Sequence, residues 1–172
     1  MRNALTYIGL FLTAIVLQLF VFDPMHVWMY MNPLVYAAFI ILLPVNVLPV
    51  VVLLLGLATG VVMDFFTGMG GLHTVVMLFT AYIRQFVMIF TLGKEYTGEG
   101  GMPSVKSFGA GKFFRYISVM VAVHCLLYFT LESLTWKYYY IVVLKTVVSG
   151  AVTLLFVWLI SLLFTVKTRK KV

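Results

Sequence analysis

Charge is what this sequence has least of. Of its 172 residues only 10% are Asp, Glu, Lys or Arg, while 63% are apolar. A soluble chain is roughly 25% charged, so no ionic shell is available here and lipid must cover most of the surface. Acids are scarcer than bases, five against twelve, which leaves a net charge of +7. That excess is not a nucleic-acid footprint. The basic residues gather at Lys94 to Arg115 and Lys167 to Lys171, beside apolar runs, rather than in a stripe interleaved with aromatics. The single cysteine, Cys125, excludes an internal disulfide and leaves the redox compartment open. Signatures of chemistry are missing as well. There is no HExxH, no GxSxG, no Walker loop and no paired-acid motif. His26, His73 and His124 are not at metal-ligand spacing. Neither an enzyme nor a metal or cofactor site has a positive argument. An intramembrane enzyme or flippase needs converging acids or a His/Asp pair at depth, and only Arg84 and His124 stand there.

What is present is a series of apolar runs. They predict an all-α polytopic membrane bundle of about six transmembrane helices, forming one transmembrane domain over residues 1–172. Six spans of ~20 residues use about 120, leaving only loops and tails. The first span is Ala4 to Phe22, an uncleaved signal anchor, because Asp23-Pro24 follows it where a cleavage site would need small residues. Met25 to Asn32, with Trp28 and Tyr30, suits the headgroup layer. Leu34 to Met63 is 30 residues, about 45 Å as helix, too long for one span and too short for two. Pro44, Asn46 and Pro49 divide it into a short second helix, Leu34 to Leu43, and a third, Leu48 to Met63. The second cannot cross alone unless the bilayer thins or neighbouring protein covers its ends. If the stretch were instead one kinked span, only the first helix would reverse.

The fourth span is Leu72 to Leu92. A polar loop with six glycines, Gly93 to Gly111, reads as flexible. The fifth span is Phe113 to Leu131 and the sixth Tyr140 to Val166, followed by a basic tail. Six crossings place ten basic residues on the side of the termini and two, Lys137 and Lys145, opposite. That bias predicts cytoplasmic termini. Lys167, Arg169, Lys170 and Lys171 are then expected to meet lipid headgroups, each contributing about 1 kcal/mol.

The most informative segment runs from Gly56 to His73. Gly56, Gly60 and Asp64 recur every four residues and share a helix face. Glycines at this spacing let a neighbouring backbone approach closely. Asp64, at the outer end of that face, can accept hydrogen bonds from a neighbouring helix end, pair with a cation or anchor a partner. Gly68 to Gly71 permit a sharp return. Packing and turn geometry account for all of it; a partner or ligand site is the sharper reading. Arg84, near the middle of the fourth span, is expected to snorkel to the cytoplasmic edge, with internal pairing as the alternative. Glu132 reads as a solvated helix end near Lys137 and Lys145. Methionines and histidines read as packing.

The order Asn32-Pro33-Leu34, a Pro-broken hairpin, Gly56-x3-Gly60-x3-Asp64, Gly68, Gly71-Leu72-His73, Tyr82 and Arg84, then a basic loop and Leu131-Glu132, resembles the rod shape-determining protein MreD family. The resemblance implies a fold like the S components of energy-coupling factor (ECF) transporters. It also implies a non-catalytic subunit of the bacterial elongasome in the inner membrane. Its partners would be MreC and, with it, RodA and a class B penicillin-binding transpeptidase, and its candidate interface or packing residues are those just named. A vitamin-binding transporter subunit is the alternative, using Asp64, His73, Glu132 and outer tyrosines as ligand contacts.

Overall fold

The structure, a computed structural model, describes residues 2–24, 31–93, 102–134 and 139–168. Among these it is all-helical. Helix α1 (Arg2–Leu17) continues into a π-helical turn, Gln18–Phe22. A 3-10 turn, Val35–Ala37, leads into α2 (Ala38–Ile41). Then follow α3 (Pro49–Thr67), α4 (Leu72–Leu92), α5 (Val105–Phe108), α6 (Ala110–Ser133) and α7 (Tyr139–Thr168). Five of these, α1, α3, α4, α6 and α7, are long and apolar enough to cross a membrane.

The boundaries follow local chemistry. Helix α3 starts on Pro49, whose missing N–H costs nothing in a first turn. It ends at Gly68, which adopts φ 70 and bonds back to the Asp64 carbonyl. Asp64 therefore sits inside the last turn, and α3 runs four residues beyond the expected Met63. Helix α6 begins at Ala110, three residues before the expected Phe113, because Gly109 (φ 78) separates it from the short α5. Residues 94–101 of the expected flexible loop, and with them His26, Trp28, Lys137, Arg169, Lys170 and Lys171, lie outside the described residues, while 102–111 include the short α5 and the start of α6.

The decisive feature is the segment 31–48. Its helical residues, Val35 to Ile41, are all 0–4% exposed. It is neither a conventional span nor part of one kinked helix with α3. Its contacts proceed in order through the bundle. Tyr36 meets His73 at the start of α4, Ile41 meets Tyr116, and Leu43 meets Arg84. From His73 to Arg84 is about 16 Å along α4. The chain then turns, and α3 runs back, with Gly56 against Ala81 and Gly60 against Thr74. The segment is a broken crossing enclosed by α1, α4, α6 and α7, with neighbouring protein covering it from Leu34 to Leu43.

Helices α1 and α7 are antiparallel: Phe22 packs on Phe156, and a Cβ on Gly9 would lie 3.9 Å from Phe164. The start of α1 and the end of α7 therefore lie at one end of the bundle, the terminal end. Asp23, Asp64 and Glu132 mark the other, the acidic end. A single buried core joins Leu10 of α1 to Ile160 of α7, with Tyr36, Tyr116, Tyr128 and Phe113 as its largest enclosed side chains.

Candidate functional site

The sequence-singled residues fall into two places. The first is the α3–α4 hairpin at the acidic end. A Cβ added to Gly60 would collide with Thr74 Cα and lie 2.9 Å from its nitrogen; one on Gly56 would lie 2.9 Å from Ala81 Cβ. The glycine face is therefore closed by this chain's own α4. Of the two readings of Gly56 and Gly60, packing and a partner site, the contacts with Thr74 and Ala81 agree with packing. That close approach brings Asp64 to the first turn of α4, where amides have no partner within their helix. Its carboxylate accepts from His73 N at 2.9 Å, Thr74 N at 2.8 Å and Thr74 Oγ1 at 2.5 Å. The N-cap position itself is Gly71 at φ 100, which has no side chain to do this, so the cap is supplied from the neighbouring helix. Gly68 and Gly71 both hold positive φ in the connecting turn.

The second place is the bundle interior, around segment 31–48. Buried irregular backbone in a bilayer must find hydrogen-bond partners within the protein. Four side-chain bonds serve the amides at its entry. Asn32 N donates to Ser149 Oγ at 2.9 Å and Leu34 N to Thr153 Oγ1 at 2.9 Å. Val35 N donates to Gln18 Oε1 at 2.7 Å, and Tyr36 N reaches the same oxygen at 3.4 Å. The amide nitrogen of Gln18 donates to Asp23 Oδ1 at 2.8 Å and Pro33 O at 3.0 Å. At the exit the carbonyls are served. Tyr116 hydroxyl donates to Ile41 O at 2.9 Å. Arg84 donates from one terminal nitrogen to Leu43 O and, at 3.2 Å, to Pro44 O. Arg84 is 3% exposed. The expectation that it snorkels is therefore overturned: free carbonyls of the broken segment lie within its reach, so it turns inward. Without it, the terminal side keeps nine basic residues against two.

Between these places lies an aromatic and histidine cluster. Tyr36 hydroxyl and His73 Nδ1 share a hydrogen bond of 2.9 Å. Thr80 gives its proton to Val76 O, so its 2.7 Å contact with His124 is donated by the Nδ1–H. His124 Nε2 is buried without a partner. The Tyr36 ring stands edge-on to both imidazoles, and Tyr128 packs on His73. Tyr82 joins none of these hydrogen-bonded groups. It is exposed on the outer face of α4, beside Phe86. Lys167 lies in the last turn of α7. Glu132 is bound rather than merely solvated, pairing with Lys145 at 3.1 Å across α6 and α7. No group of three metal-ligating side chains occurs among the described residues.

Sequence reasoning missed Gln18, Tyr36, Tyr116, Ser149 and Thr153. One signal was available for Gln18: it is one of two glutamines in the chain and stands inside a 19-residue apolar run. A polar side chain at such a position needs a partner, and the adjacent irregular segment supplies it. Family models, curated proteins and solved structures provide no match to this chain.

Proposed function

We propose that this chain is a non-catalytic membrane scaffold of the bacterial cell-wall elongation complex, of the MreD type. Its partners would be MreC and, with it, RodA and a class B penicillin-binding transpeptidase. One observation carries the reading: the conspicuous polar and glycine residues are committed to internal structure. Gly56, Gly60 and Asp64 build the α3–α4 hairpin, and Gln18, Tyr116 and Arg84 hold the broken crossing. What remains for a partner is shape and apolar surface. The outer side of the hairpin offers Leu54, Leu57, Val61 and Phe65 on α3 and Phe79 and Phe90 on α4. A membrane helix such as that of MreC would pack there by van der Waals contact, the main attraction between helices in lipid.

The inner membrane with cytoplasmic termini is part of the same proposal, supported by the nine-to-two bias in basic residues. The vitamin-binding alternative asks for space at the acidic end. Tyr36, His73, His124 and Tyr128 fill the described interior there, at 0–3% exposure. The discriminating experiment is purification of the tagged protein from its host membrane followed by mass spectrometry. Recovery of MreC with wall-synthesis enzymes is expected. Recovery of an ATP-driven import module instead overturns the scaffold reading. A reporter active only outside the cytoplasm, fused to the C-terminus, is expected to be silent.

A further inference from the structure

Arg84 carries a permanent charge, yet the acceptors it meets are neutral. They are the carbonyls of Leu43 and Pro44. Its Nε is buried without a partner. The three described carboxylates, Asp23, Asp64 and Glu132, belong to the opposite end of the bundle. A charge enclosed at membrane depth needs an opposite charge or water.

A cavity of about 250 Å³ opens beside this side chain. Val45, Val47 and Pro49 form one wall, Tyr82, Gln85 and Phe86 the other, and Arg84 lines it as well. The site is made by a step in the bundle. With Gly60 against Thr74 and Gly56 against Ala81, Pro49 falls opposite about residue 85 of α4. Helix α4 continues to Leu92, roughly 10 Å further. Helix α3 thus begins one turn from Arg84, with no side-chain cap on its first amides. Those amides and the guanidinium both favour a negative charge. The rim is largely apolar: Tyr82 and Phe86 are each more than half exposed, and Gln85 is the exposed polar side chain between them and Arg84. A ligand must therefore bring its own hydrocarbon. Basic pockets between membrane helices are suited to lipid headgroups, and the volume lies just below the ~300 Å³ of a pocket that encloses a whole small molecule.

We propose that this cleft binds the phosphate headgroup of an anionic membrane lipid, held by Arg84 and the start of α3, with its acyl chains along Tyr82 and Phe86. The occupant is a lipid of the leaflet at the terminal end rather than a soluble anion, because the exposed rings of Tyr82 and Phe86 flank the cleft where acyl chains would lie. The proposal stands apart from the scaffold reading and does not need it.

The test uses the full chain in vesicles of phosphatidylcholine with and without phosphatidylglycerol, with the lipid retained after detergent extraction read by native mass spectrometry. Arg84 itself is left in place, since it also holds the backbone. Gln85→Glu puts a carboxylate at the exposed edge of the cleft, and Val47→Trp fills it. The wild type is expected to retain phosphatidylglycerol over phosphatidylcholine by about fivefold, the factor for one headgroup–cation contact. Both variants should lose that preference while melting as the wild type does. Equal retention of the two lipids by the wild type would mean that the chain neutralises Arg84 itself, and would overturn the proposal. So would a preference untouched in both variants, or stabilisation by inorganic phosphate equal to that by phosphatidylglycerol.

Discussion

Replacing Gln18 by Leu tests the central physical claim, that side chains substitute for the missing secondary structure of segment 31–48. Leu matches Gln in size and suits an apolar helix, so a hydropathy argument expects no loss. The structure argues otherwise. The substitution removes the acceptor of Val35 N–H and a donor to Pro33 O, both in the interior. The second donation, to Asp23, and the long contact from Tyr36 N weigh less. An orphaned buried polar group costs about 1–3 kcal/mol. Two of them cost roughly 2–6 kcal/mol, reduced because a chain unfolded within a membrane finds other partners. We expect about 3 kcal/mol, roughly a hundredfold in the folding equilibrium. Unfolding by a denaturing detergent, followed by tryptophan fluorescence, reads the change. Ile8→Leu, on the exposed face of α1, is the control and should be near neutral. A Gln18→Leu protein within about 0.5 kcal/mol of the control, the range of ordinary surface substitutions, would refute the reasoning.

Three further outcomes are expected. Gly60→Ala must push α4 away at Thr74 backbone, which cannot rotate aside; a loss of about 1–3 kcal/mol is expected in the same assay. Gly56→Ala makes a shallower clash, 2.9 Å from Ala81 Cβ and 3.2 Å from Met77 O, and should cost less. Asp64→Ala uncaps α4 and should cost about 1–2 kcal/mol, with faster amide exchange confined to His73 and Thr74 by hydrogen–deuterium measurement. Cys125 is buried, and its side chain meets Thr153. A thiol reagent should leave it unmodified in mild detergent and label it only at the rate of unfolding; rapid labelling of the native protein would contradict the packing.

The membrane class, the long helices and the tight α3–α4 turn were determined by composition and by local spacing. Apolar runs of span length have no other stable environment, and Gly56, Gly60 and Asp64 at intervals of four must share a face whatever the rest of the chain does. Segment 31–48 shows where such reasoning stops. Its prolines announced a break, but whether bilayer or protein would cover it depended on Gln18, Tyr116, Ser149 and Thr153, between 15 and 119 residues from the backbone groups they bond. Arg84 makes the same point. Its sequence neighbours, Gln85 apart, are apolar and suggest an escape to the surface, whereas its carbonyl partners are 40 and 41 positions earlier. Hydrogen bonds to irregular backbone carry no periodicity and no fixed spacing, so only the folded bundle could decide which side chains would make them.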